Sequence, residues 1–205
     1  MRSRIFKWGG IAASVILIAF GIGSIAVGGW GINYTRDQLA NEQIVGSPDM
    51  TPNAIKTEGE KAGLTNVDYP TCDVAGETVD TGQEAKCFAS YMRIHALEAT
   101  GGQPYSEMGR FLDANGKPTS DEAQAAKDPK TGQPVENGLR NLWVTETALT
   151  TALNVSYFAE NVGVFGLVMG IALLLTGVGF LVLTLGGLEG RRAPETAPAP
   201  AIAKT

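Results

Sequence analysis

Few residues in this chain are equipped for chemistry. It has 205 residues, one histidine (His95) and two cysteines, Cys72 and Cys87. His95 is followed three positions later by Glu98, a spacing that sets an imidazole and a carboxylate on one helix face and makes half of a metal site. A mononuclear non-haem iron site wants two histidines and a carboxylate, so a single chain falls short and only a symmetric oligomer would complete it. A lone histidine on a helix is more often a packed or surface residue. The chain has no phosphate-binding glycine loop, no dinucleotide fingerprint and no Gly-x-Ser-x-Gly. Arg93, Arg110, Arg140, Glu98, Glu107 and Glu146 have the charges for ion pairs between helices, and nothing in their spacing marks them as catalytic. No catalytic residue, metal ligand or cofactor site is therefore assigned.

The cysteines read differently. They are not spaced as C-x-x-C, and one histidine is too few to complete a zinc site with them. In an oxidising compartment an isolated pair forms a bridge. A Cys72–Cys87 disulfide would pin a loop running from about Asn66 to Gln83 onto the start of the helix expected over Glu84–Ala99.

The elements that position these groups are set by two apolar runs. No charge interrupts the sequence between Lys7 and Arg36, or between Glu160 and Glu189. Each run exceeds the roughly 20 residues that a helix needs to cross ~30 Å of hydrocarbon. Span one is expected over 8–32 and span two over 161–187. Arg2, Arg4 and Lys7 flank the first and Arg191 and Arg192 the second, so the excess of basic residues places both termini in the cytoplasm. Trp8, Trp30, Tyr34, Tyr157 and Phe158 fall at the edges, where amphipathic rings settle. Ser24-Ile25-Ala26 offers a cleavage pattern for a secretory signal. The apolar stretch runs well past Ala26, longer than the ~7–15 residues of such a signal, which favours an uncleaved anchor.

Both spans are rich in small residues, which let helix backbones approach closely in lipid. Gly163, Gly166 and Gly170 share nearly one face of span two. Ala19 with Gly23, and Ser24 with Gly28, repeat the four-residue spacing in span one. The spans are expected to pack on each other or on a partner through these faces. Neither contains a charged residue, which disfavours an ion path or proton relay. The net charge of -5 argues against nucleic-acid binding, which shows as a basic patch or stripe.

Residues 33–160 are expected to form a mostly helical, disulfide-bearing extracytoplasmic domain. Both spans should continue into it as stalks, the first as far as about Val45 and the second from near Val135. Thr51-Pro52 starts a helix that should end at Gly63. Thr119-Ser120-Asp121-Glu122 resembles a capping box opening a short helix, inside a polar, mobile stretch from Asp113 to Asn137. Residues 1–7 form a cytoplasmic N-terminus, and 188–205 a Pro/Ala-rich disordered tail.

Several stretches carry a resemblance: Gln43-Ile44-Val45-Gly46-Ser47-Pro48-Asp49-Met50-Thr51-Pro52, Ala85-Lys86-Cys87-Phe88-Ala89 with Tyr91-Met92-Arg93-Ile94-His95-Ala96-Leu97-Glu98-Ala99-Thr100, and Leu142-Trp143-Val144-Thr145-Glu146-Thr147-Ala148-Leu149-Thr150-Thr151-Ala152-Leu153-Asn154. Together they resemble a family of small two-span membrane proteins of actinobacteria. The likeness covers the chain except the polar stretch and the tail, and it implies the same two-span topology. Members are often labelled aromatic ring-opening dioxygenases. One histidine and two bridged cysteines do not make such a site, so the resemblance implies topology and no activity. The sequence thus points to an all-α membrane protein of structural or interaction type. Its expected partners are the lipid bilayer and either a second copy or another membrane protein. A metal-dependent oxidoreductase with a site shared between subunits, and an extracytoplasmic ligand sensor lidded by Asp113–Asn137, are the alternatives.

Overall fold

A computed structural model describes residues 2–189, with side chains from Ile5 to Gly186. The tail from Gly190 onward, with Arg191 and Arg192, lies outside the described residues. The chain is mostly helical: α1 (Arg2–Asn41), α2 (Pro52–Lys61), α3 (Gly82–Ala99) and α4 (Gly138–Glu189), with a two-stranded ribbon, β1 (Phe111–Leu112) and β2 (Pro118–Thr119), between α3 and α4. It divides into two compact units, one formed by Met1–Gly29 with Val164–Thr205 and the other by Trp30–Gly163.

In the first unit two apolar helical segments pack through small residues. Ser14, Gly21 and Gly28 of α1 are buried at seven-residue spacing, as are Gly170 and Gly177 of α4. A Cβ added at Gly170 would lie 2.8 Å from the Gly21 carbonyl oxygen and 2.8 Å from the Ile25 amide nitrogen. One added at Gly177 would lie 3.0 Å from the Ser14 carbonyl oxygen, and one at Gly166 3.4 Å from the Gly28 Cα. Backbone meets backbone along this seam, closely enough at Gly170 and Gly177 that no Cβ fits, and small residues allow that approach. The Ser14 hydroxyl is satisfied within its own helix, donating to the Gly10 carbonyl at 2.8 Å. Gly23 is not part of the seam: it is exposed, with nothing within 4 Å of its Cβ position. The repeat of seven puts Gly21 on the contact face, and Gly23, two residues on, is turned about 200° away from it. Ala19 is exposed as well. Phe6, Trp8, Phe20, Phe165, Leu175 and Phe180 all face outward.

The second unit is built on α3. Thr81 caps its start: the hydroxyl accepts from the Glu84 amide at 3.3 Å, and the Glu84 carboxylate accepts from the Thr81 amide at 2.9 Å. This reciprocal pair satisfies two donors that the helix start would otherwise orphan. At the far end Gly101 and Gly102 adopt φ of 62° and 79°, a left-handed turn that stops the helix. One face of α3 carries Cys87, Tyr91 and Ile94 into a cluster with Met50, Ile55, Leu64 and Val74. Ala85 and Ala89, on another face, pack with Leu39, Val79 and Leu153. The loop ahead of α3 is held by the segment after α1, through Gly46 N–H to the Glu77 carbonyl and Val79 N–H to the Ile44 carbonyl, both 2.9 Å.

The capping box expected at Thr119 does not open a helix. Thr119 belongs to β2 and pairs with Phe111. Its hydroxyl accepts from the Asp121 amide at 3.1 Å, and Asp121 accepts from the Ala123 amide at 2.9 Å, so these side chains close two successive short turns. Backbone bonds from Leu112 to Val135, Val135 to Ala126 and Ala126 to Leu112, all 2.8–2.9 Å, then knit 111–136 into a hydrogen-bonded lobe rather than a free loop. α4 starts at Gly138, where the Asn137 side chain accepts from the Leu139 amide and donates to the Gly109 carbonyl.

Candidate functional site

Cys72 and Cys87 are joined, with Cα atoms 6.1 Å apart. Cys87 is buried on α3 and Cys72 sits in the loop before it, so the bridge fastens loop to helix. One turn further along α3, the fully buried Tyr91 donates its hydroxyl proton to the Cys72 carbonyl at 2.6 Å. Burial pushes the Tyr91 phenol above its ordinary value, with Asp73 adding to the effect. The disulfide and this hydrogen bond hold the same residue by its side chain and by its backbone.

On the adjoining face His95 and Glu98 meet, Nδ1 to Oε2 at 3.3 Å. They are not alone. His95 Nε2 lies 3.4 Å from Asp49 Oδ2, and one donor atom each of Asp49, Glu58 and His95 falls within 4.8 Å of the others. Asp49 comes from the turn ahead of α2, Glu58 from α2 and His95 from α3. The Asp49 carboxyl is held below its ordinary value, first by a hydrogen bond from Ser47 and then by its own amide and His95, against the opposing effect of burial. Asp49 and Glu58 could not be found from spacing, because three separate segments deliver the set.

The ion pairs expected for Arg93, Arg110 and Arg140 do not form among the described residues. Each guanidinium lies over a ring instead: Arg93 over Trp143 at 5.5 Å, Arg110 over Phe111 at 5.2 Å and Arg140 over Tyr105 at 4.2 Å. The long-range ion pair joins Arg36 of α1 to Glu160 of α4, and the second Glu160 oxygen accepts from the Gly82 amide at 2.6 Å, at the start of α3. Glu146 is buried and accepts from the Thr147 hydroxyl.

A groove of about 560 Å³ opens between α1, α3 and α4 within the second unit, lined chiefly by Leu39, Ile44, Phe88, Met92, Leu149 and Leu153. The lobe 111–136, within the segment expected as a lid, does not line it. In comparisons with protein-family models, curated proteins and solved structures, the chain matches none. Its class therefore rests on its own architecture: a mostly helical protein with two apolar helices long enough to span a membrane and one disulfide.

Proposed function

We propose that this is an integral protein of the cell membrane, crossing it twice with both termini in the cytoplasm and residues 33–160 outside. It acts through contacts, by self-association or as an accessory subunit of a larger membrane assembly. The observation that carries this reading is the orientation of the apolar side chains in the first unit. Only 11% of the most hydropathic stretch of either long helix is buried. The contact between helices uses glycine and serine, while phenylalanine, tryptophan, valine and leucine point outward. A soluble core helix would bury those large residues; a pair of helices in lipid presents them to acyl chains. The basic flanks, Arg2, Arg4 and Lys7 before the first span and Arg191 and Arg192 after the second, supply the orientation. Membrane-impermeant thiol labelling of intact cells tests it. Labelling of Cys72 and Cys87 only after reduction is the expected result; labelling only after lysis refutes the orientation. Purification from mild detergent as a monomer without companions would refute the interaction role.

The apolar groove favours a second reading, an extracytoplasmic sensor for a small apolar molecule. Its volume lies in the ~300–1,000 Å³ range of ligand sites, and its Gln38, Glu42 and Ser156 supply polar groups at an otherwise apolar wall. Filling it with Leu153→Trp should abolish binding of an apolar fluorescent probe such as ANS. Unchanged probe binding would remove the sensor reading.

A further inference from the structure

The geometry points to a divalent-cation site made by Asp49, Glu58 and His95, with Glu98 orienting the imidazole. The nearness of donors is the first observation: the three candidate ligand atoms lie within 4.8 Å of one another, and His95 Nε2 is 3.4 Å from Asp49 Oδ2. The arrangement of the imidazole is the second. A neutral imidazole has one N–H and one lone pair. In the tautomer whose Nδ1–H donates to Glu98 Oε2, 3.3 Å away, the Nε2 lone pair faces the Asp49 carboxylate. Lone pair against carboxylate oxygen is repulsive unless a positive charge lies between them. A carboxylate that fixes the distal nitrogen of a metal-binding histidine is the usual support of such a ligand.

Charge balance is the third observation. Asp49, Glu58 and Glu98 bring three carboxylates around one histidine, and among the described residues no lysine or arginine pairs with any of them. Glu98 Oε1 is buried without a hydrogen-bond partner. A divalent ion at Nε2 neutralises Asp49 and Glu58 together.

The donor set selects the ion. One imidazole and two carboxylates suit Zn²⁺, with Mn²⁺ next, and leave a coordination position for water. Ca²⁺ would require six to eight oxygens, more than these side chains offer. The ligands come from the turn before α2, from α2 and from α3, and neighbouring Met50, Ile55 and Ile94 already share an apolar cluster. An ion here clamps those segments from the outside of that cluster. The cation site stands apart from the membrane reading, so topology mapping can fail without touching it.

The test uses the full chain in mild detergent, stripped with EDTA and titrated with Zn²⁺ by calorimetry while thermal unfolding is followed by circular dichroism. One Zn²⁺ per chain and a melting temperature that climbs with free Zn²⁺ are expected. Asp49→Asn and His95→Gln should each weaken binding by about a hundredfold or more. Glu98→Gln, which keeps every ligand, should weaken it by about 10–100-fold. Co²⁺ substitution should give a visible spectrum with no thiolate charge-transfer band, since both cysteines are bridged. Wild-type protein that takes up neither Zn²⁺ nor Mn²⁺ overturns the proposal. Zn²⁺ binding that is unchanged in an Asp49→Asn/Glu58→Gln variant with helical content and disulfide intact overturns it equally.

Discussion

Replacing Glu160 with alanine should destabilise the second unit more than the loss of its arginine partner does. The Glu160 carboxylate accepts from Arg36 Nε at 3.1 Å and from the Gly82 amide at 2.6 Å. These two interactions differ in value. The Arg36 side chain is 49% exposed and that of Glu160 11%. With one partner half in water, the ion pair is worth about 0.5–1 kcal/mol. The Gly82 amide is buried at the first turn of α3, where the helix dipole also favours a negative charge. A hydrogen bond to a charged acceptor there contributes about 1.5–3 kcal/mol, and removing the acceptor strands a buried donor. The total for Glu160→Ala is therefore about 2–4 kcal/mol, of which the arginine accounts for the smaller part. Glu160→Gln, which keeps an acceptor for Gly82, should cost about half as much. Thermal unfolding of the full chain in detergent should show a drop on the order of 10 °C for Glu160→Ala, using about 2–4 °C per kcal/mol for a chain of this length. Arg36→Ala should cost about 1–4 °C on the same scale. A double-mutant cycle isolates the pair. If Arg36→Ala alone matches Glu160→Ala, the energy resides in the ion pair and the argument from the α3 start is wrong.

Gly170→Leu should prise the helices of the first unit apart at an overpacking cost of about 1–3 kcal/mol, whereas Gly23→Leu and Gly179→Leu, both facing open space, should be silent. Oxidative cross-linking of cysteines introduced on either side of the seam, in a Cys72→Ser/Cys87→Ser background, reports the difference. Removing the Cys72–Cys87 bridge, which spans 15 positions, should lower stability by about 3 kcal/mol. Tyr91→Phe, which leaves the Cys72 carbonyl without its donor, should cost about 1–2 kcal/mol by thermal unfolding. Burial raises the Glu84 carboxyl, but hydrogen bonds from the Thr81 hydroxyl and the Asp80 and Thr81 amides outweigh it and hold the group below its ordinary value. A depressed carboxyl lends stability above its unfolded value, near pH 4.3, and loses it as pH falls through the folded value. Acid unfolding of Glu84→Gln should therefore begin from a lower plateau and show a shallower dependence on pH below about 4.

The long helices could be read from the sequence because charge-free runs of that length have one common structural solution. The start of α2 was legible for a similar reason, since Thr51-Pro52 states a cap and a first turn in adjacent residues. At Thr119 the same kind of local signal misled. A hydroxyl three residues before a glutamate caps a helix only if apolar periodicity follows, and after Glu122 the residues are polar and small. β1 and β2 escaped notice because strands of two residues carry no alternation. On α3, Thr81 and Glu84 held a true capping box that the surrounding loop composition obscured. The seam was half visible. Four-residue pairs caught Gly166, Gly170, Ser24 and Gly28, while the seven-residue repeat through Ser14, Gly21 and Gly28 was the signal that separated Gly21 from Gly23. For the cluster at His95, sequence supplied Glu98 and nothing else. Asp49 and Glu58 arrive through tertiary packing of α2 against α3, and no spacing rule encodes that meeting.

The seam has a consequence for how the chain tolerates change. Its helix pairing is written almost wholly in residues that lack a side chain of any size, so the instruction is one of omission: keep these positions small. The outward positions need only be oily, and phenylalanine, valine, leucine or isoleucine would serve at each. A saturation scan of the first unit should therefore look like a dashed line, silent at most positions and sharply intolerant wherever Gly21, Gly170 or Gly177 comes round. Such a hairpin can change nearly all of its lipid-facing letters and still close in the same way.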